Sequence, residues 1–186
     1  MPVQCRGRAG APAPAPAPPG GHPAGLVRLN AAPRAAAEAA LLECCASRRW
    51  ARRMAAHRPF PDLGALLAAS DEAVYDLFPA DIAEALAGES APRLRHDAPY
   101  AAQLALRAAH AEYESRFGHV FVICLDPTRP SQQVDQVLAG LRTRLTHDRD
   151  EERAVTAEEM RRLARVRIIE LVTAAGPDGG PLQGPP

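Results

Sequence analysis

Only one stretch of this chain reads as an extended strand, and a sheet cannot be built from one strand. The stretch is HVFVICL, residues 119–125, apolar apart from its histidine. It follows Gly118, which ends a helical pattern and suits a left-handed cap. Elsewhere apolar residues recur at spacings of three and four among alanine, leucine, arginine and glutamate, the pattern of helices with one buried face. The fold class is therefore all-α: a single-domain bundle of about seven helices with one short extended segment. That segment also raises the question of function. A connector need not be so apolar, and buried backbone without a partner strand leaves N–H and C=O groups that need partners. Side chains and water satisfy them in a plain connector; a small ligand rich in amide groups satisfies them in a binding site.

Local signals place the helices. Pro33 suits a first helical turn before RAAAEAALLECCA. Ser47 caps RRWARRMAAH, in which Trp50 and Met54 share a face, and RPFP ends it. Asp62 caps LGALLAA, and Ser70 reads as the start of a separate helix, DEAVYDLF. Pro79 opens ADIAEALAG, which ends at Gly88. Asp97 and Pro99 open a long helix to Phe117 with a stripe of Leu106, His110, Tyr113 and Phe117. Ser131 reads as the cap of QQVDQVLAGLRTRL, with Val134, Leu138, Leu141 and Leu145 on one face. The last helix runs from about Asp150 to Thr173. Residues 28–174 form the domain, enough to bury one core. Residues 1–27 and 175–186 are Pro/Ala/Gly-rich tails, too poor in large apolar side chains to fold, so they are predicted to be disordered.

Charge and cysteine usage exclude several function classes. The 22 basic residues, all arginine, balance 22 acidic ones, so no bulk field gathers nucleic acid or an anionic membrane. No apolar run approaches the roughly 18 residues of a membrane span, and neither tail has the make-up of a signal peptide. Cys5, Cys44, Cys45 and Cys124 contain no Cys-x-x-Cys pair. Neither a disulfide framework nor a zinc site follows, and a reducing cytoplasm is the simplest setting.

One residue breaks the helical pattern. Met160, Leu163, Ala164, Ile168 and Leu171 form the buried stripe of the last helix, and Arg167 lies within it. A guanidinium on an apolar face snorkels past its neighbours, pairs with a buried acid, or receives an anionic ligand whose carboxylate fits its planar fork.

Three segments then carry a family resemblance: LLECCASRRWARRMAAHRPF (residues 41–60), AEYESRFGHVFVICL (111–125) and EEMRRLARVRIIELV (158–172). Their Cys-Cys-x-Ser-x-x-Trp, Arg-Pro-Phe and Phe-Gly-x-x-Phe signatures, in this order, resemble the 2-oxo-4-hydroxy-4-carboxy-5-ureidoimidazoline (OHCU) decarboxylases. The resemblance covers roughly residues 29–172. It implies an all-α homodimer without metal or organic cofactor. The reaction it implies is a step of urate breakdown in purine catabolism, a lyase converting OHCU to (S)-allantoin and carbon dioxide. The family holds the ligand's ureido and ring amides on the backbone after the Phe-Gly pair, here His119, Val120, Phe121, Val122 and Ile123. Its ligand-facing arginine of the closing helix falls on Arg167. The family's His-Pro pair and Ser-x-x-Glu-Gln element are not found: Glu89-Ser90 stands where the pair is expected, and His110 stands where the family has an asparagine. The candidates for the proton-carrying group are therefore Glu89, His96 and His110. Two other readings stay open: a catalytically inactive binding protein of the same fold, and an enzyme acting on another ureido or carboxylate compound.

Overall fold

The structure, a computed structural model, describes residues 23–93, 99–126 and 128–174. Among these residues it contains eight α-helices and no strand: α1 Ala24–Ala31, α2 Arg34–Leu42, α3 Arg48–Ala56, α4 Leu63–Tyr75, α5 Pro79–Ala87, α6 Tyr100–Phe117, α7 Gln133–Arg144 and α8 Arg149–Thr173. A single 3₁₀ turn, Pro130–Gln132, precedes α7. No described helix is long and apolar enough to cross a membrane.

The central element is α8. Asp148 starts it by accepting hydrogen bonds from the Asp150 and Glu151 N–H groups at 2.9 and 2.8 Å. Its buried face runs through Glu152, Thr156, Met160, Ala164, Ile168 and Val172. Helices α1 and α4 pack along it. Helix α1 begins at Ala24, ahead of the composition boundary at residue 28, because Leu26 and Leu29 are buried against the core. Its approach to α8 is close: a Cβ on Gly25 would lie 2.4 Å from the Val172 carbonyl oxygen.

The Arg-Pro-Phe motif fastens α1 to α3. The Arg58 guanidinium donates to the carbonyls of Leu29 and Ala32 at 2.5 and 2.8 Å, and its Nε donates to the Ala55 carbonyl at 3.1 Å. These are helix-terminal carbonyls with no partner in their own helices. Asn30 completes the joint by exchanging two hydrogen bonds with the Phe60 backbone, at 2.8 and 2.9 Å. In the turn between α2 and α3, Cys44 and Cys45 are buried, and burial pushes both thiols up to about 11.

Two expected helix starts are corrected. Ser70 does not begin a helix. It sits inside α4, fully buried, and its carbonyl accepts the Trp50 indole N–H at 3.3 Å. The apolar stripe of Leu66, Leu67, Ala73 and Val74 continues across it, and a residue as small as serine lets α3 and α4 approach closely. Ser131 does not cap α7 with its side chain; it lies in the 3₁₀ turn, and Gln132 is the N-terminal boundary residue. The buried face of α7 is also different. Val137, Leu141 and Arg144 face inward, while Val134 and Leu138 are 38% and 39% exposed. The stripe turns because a buried arginine, not another leucine, completes it.

The extended segment lies between two cores. Val122 belongs to the larger one, with Trp50, Leu66 and Ile168, and Val120 packs against it. Phe121 belongs to the smaller one, with Leu106, Tyr113, Val137 and Leu141, and Ile123 and Leu125 pack there. Alternate residues of an extended chain point to opposite sides, so one segment serves two apolar layers.

Gly25→Ala tests the closeness of α1 to α8. Helix propensity alone predicts stabilisation by about 1 kcal/mol. The backbone contact predicts the opposite, a loss of about 1–3 kcal/mol in denaturant titration.

Candidate functional site

A buried arginine fixes the extended segment. Arg144 is 4% exposed and reaches across from the end of α7. Its Nη1 donates to the Val122 carbonyl at 2.6 Å. Its Nε and Nη2 donate to one oxygen of Glu152 at 2.9 and 2.5 Å, and Nη2 also reaches the Tyr113 and Thr156 hydroxyls at 3.0 and 2.9 Å. The guanidinium carbon lies 4.6 Å from the centre of the Phe121 ring. Tyr113 donates to Glu152, and the other Glu152 oxygen meets His147 Nδ1 at 2.9 Å. Burial pushes the Glu152 carboxyl up, but hydrogen bonds from Arg144 and Tyr113 outweigh it and leave its pKa below the ordinary value. The Tyr113 phenol is pushed up, by burial first and then by its bond to Glu152, so it remains a donor. Farther along, Glu159 accepts the Cys124 N–H at 2.7 Å and Gln136 accepts the Asp126 N–H at 3.1 Å. The N–H groups of residues 119–123 make no hydrogen bond to any described residue.

A cleft of about 570 Å³ opens beside this segment at Val120. One wall is a face of α6: Gln103, Leu106, Arg107, His110 and Glu114, at helical spacings of three and four. The other wall is the chain leaving α5, from Ser90 to Arg93. His110 is 9% exposed, its ring stacks on Phe121 at 5.9 Å, and its Nε2 has no hydrogen-bond partner. Burial lowers its pKa, against a raising effect of Glu114, so the ring is neutral at pH 7.

The sequence candidates fall in different places. His119, Val120, Phe121, Val122 and Ile123 form the extended segment as expected, with Val120 on the His110 cleft. His119 and Val120 also line a second cleft of about 440 Å³ between α5 and the start of α8. Arg167 and Glu89 meet each other. The guanidinium donates to both Glu89 oxygens, at 2.6 and 2.8 Å, and to the Cys44 carbonyl at 3.3 Å. The Glu89 side chain is 7% exposed and that of Arg167 is 32% exposed. Hydrogen bonding to Glu89, opposed by burial, raises the Arg167 pKa further. Of the three readings of Arg167, the pair with a buried acid is the one observed, and the partner is itself a candidate proton carrier. His96 lies outside the described residues. Among the described residues, no group of three or more His, Cys, Asp or Glu is placed to hold a metal ion.

Sequence reasoning missed Arg144, Glu152 and Thr156. The available signal was spacing: Arg144 follows Leu141 by three and Val137 by seven, and Glu152 precedes Met160 by eight on the buried face of α8.

Residues 30–169 match the family described as OHCU decarboxylase. Two solved structures are similar in fold. One is a crystal structure of (S)-allantoin synthase: TM-score 0.63, 19% identity, 79% of this chain and 54% of that one. The other is a crystal structure of an OHCU decarboxylase in the presence of (S)-allantoin: TM-score 0.63, 18% identity, 72% of this chain and 96% of that one. The chain thus spans about half the length of the allantoin synthase it matches. No curated protein matches it.

Two measurements check this geometry. Arg144→Met strands the Glu152 carboxylate in the core and is expected to cost about 3–5 kcal/mol in denaturant unfolding; the Arg144→Met/Glu152→Gln double variant should lose less than the sum of the two single changes. His110 gives a pH signature. Its folded pKa lies below the unfolded value of 6.5, so the stability it contributes is present above pH 6.5 and is lost as pH falls through the lowered value. His110→Asn should flatten the fall in Tm below pH 6.5.

Proposed function

The chain belongs to the OHCU decarboxylase family, and on that footing we propose that it converts 2-oxo-4-hydroxy-4-carboxy-5-ureidoimidazoline to (S)-allantoin and carbon dioxide, as a cofactor-free lyase of urate breakdown. The observation that carries the reading is the His110 cleft, bordered at Val120 by an extended segment whose N–H groups from residue 119 to 123 are unpaired among the described residues. A ureido ring compound presents amide carbonyls and N–H groups in a plane, which is what an unpartnered strand edge can bind. The (S)-allantoin present with the structurally similar decarboxylase supports the same ligand class here.

The reaction breaks the bond between a ring carbon and the carboxylate and passes the electron pair through the ring to a ring nitrogen, which takes up one proton from solvent; the neighbouring ring carbon then receives a proton on one face. The ring hydroxyl loses its proton as it becomes the carbonyl of the product. A neutral imidazole suits both transfers, accepting the hydroxyl proton and returning it to carbon. Of the candidates that the structure describes, His110 is the imidazole. Glu89 is held by Arg167 and serves as a fastening between the end of α5 and α8. The main chain of residues 119–123 orients the ring, and Arg144, Glu152 and Glu159 hold that main chain in place.

A second reading rests on the Glu89–Arg167 pair. With that fork filled, the same fold could hold a ureido ligand without turning it over. Freshly made OHCU, followed by circular dichroism for (S)-allantoin, separates the two. A rate no greater than the spontaneous one overturns the decarboxylase reading, and calorimetric binding of allantoin would then support a binding protein. In an active protein, His110→Asn is expected to lower kcat by about 10²–10⁴-fold. The wild-type rate should fall with acid through a pKa below that of an ordinary histidine.

We read the protein as cytoplasmic and dimeric. Tyr100 and Leu104 of α6, with Val134 and Leu138 of α7, leave apolar side chains exposed on two helices that pack together, which supports self-association. Sedimentation should give twice the 19.8 kDa chain mass; a monomer at micromolar concentration overturns the dimer.

A further inference from the structure

We propose that the carboxylate of a ligand in the His110 cleft is taken by Arg93 and Arg107 rather than by Arg167. The proposal rests on the reading of that cleft as the substrate site. Arg167 is the cation that the sequence pattern offers, but its planar fork is already filled. Both Glu89 oxygens accept from it in the bidentate geometry a substrate carboxylate would need. Displacing Glu89 would leave a side chain that is only 7% exposed without its partner, a costly exchange of one carboxylate for another.

Arg93 and Arg107 stand differently. Both line the cleft that contains His110 and Val120. Both are exposed, and neither makes an ion pair or hydrogen bond with a described residue. Arg107 lies three residues before His110 on the same wall of α6, and Arg93 stands on the facing wall. Among the described lining residues Glu114 is the only acid. Two forks on opposite walls with no partner among the described residues, flanking an imidazole whose Nε2 likewise has none among them, form a receptor for a small ring compound with one carboxylate. The arrangement also favours turnover. Loss of carbon dioxide removes the charge that the arginines hold, so the neutral product is bound more weakly than the substrate.

The test compares a charged ligand with a neutral one. The affinity of (S)-allantoin is measured by calorimetry and the KM of OHCU by the dichroism assay. Both are taken for the full-length protein, for Arg93→Gln/Arg107→Gln, and for Arg52→Gln/Arg142→Gln, which removes equal charge away from the cleft. The expected result is a rise of roughly tenfold in the KM for OHCU in the cleft variant only, with allantoin affinity unchanged within about twofold. Arg107→Lys should recover part of the loss. An unchanged KM in the cleft variant overturns the assignment, as does an equal rise in the control variant. Absence of both turnover and allantoin binding in the unsubstituted protein overturns the reading of the cleft itself, and this inference with it.

Discussion

A single buried cation organises this structure. Arg144 cannot stay charged in an apolar interior unless its donors are occupied, and the chain supplies partners from three separate regions: Glu152 and Thr156 on α8, Tyr113 on α6, and the Val122 carbonyl of the extended segment. Each partner is thereby tied to the others. The aromatic ring of Phe121 lies against the guanidinium, so even the apolar side of the group is covered. The extended segment between the cores owes its position to this arrangement, since no strand among the described residues pairs with it.

That position explains how a helical bundle can hold a length of extended main chain without a sheet. Alternation sends Val120 and Val122 to one core and Phe121 and Ile123 to the other, which locks the register of the segment without a sheet. Arg144 takes its Val122 carbonyl and Glu159 its Cys124 N–H, while the N–H groups of residues 119–123 make no hydrogen bond with a described residue. Gly140 contributes from α7: a Cβ there would lie 3.1 Å from Ile123 Cδ1 and 3.3 Å from Phe121 Cζ, so the absence of a side chain lets the helix lie close under the segment. On the far side, the Glu89–Arg167 pair and the Cys44 carbonyl link the end of α5 to α8 and to the α2–α3 corner. The cleft is thus walled by elements whose spacing is set by buried polar contacts.

Much of this was readable from the sequence, and what was not has physical reasons. The all-α class followed from the lone strand and the helical spacing, and Ser47, Asp62, Pro79 and Gly118 each mark a helix boundary where their chemistry predicts one. Ser70 misled because a small polar residue with an acid after it has the same local signature inside a helix contact as at a helix start. The α7 face misled because a periodicity count treats arginine as a solvent residue. Arg167 was visible as an anomaly of spacing, but its partner was not. Glu89 lies 78 residues away just past a helix end, where an acid ordinarily faces water, and its two hydrogen bonds from Arg167 hold it inward instead. Arg144 and Glu152 escaped for the same reason in pairs: each looks like a surface charge until the other is placed beside it.

The two adjacent thiols at the α2–α3 corner carry a further consequence. Nucleophilic attack by cysteine requires the thiolate, and burial holds Cys44 and Cys45 as thiols near neutral pH while shielding them from solvent. In the folded chain they are therefore silent toward peroxide and alkylating reagents. Their modification reports instead on how often that corner comes apart, so the protein carries its own chemical clock for local opening.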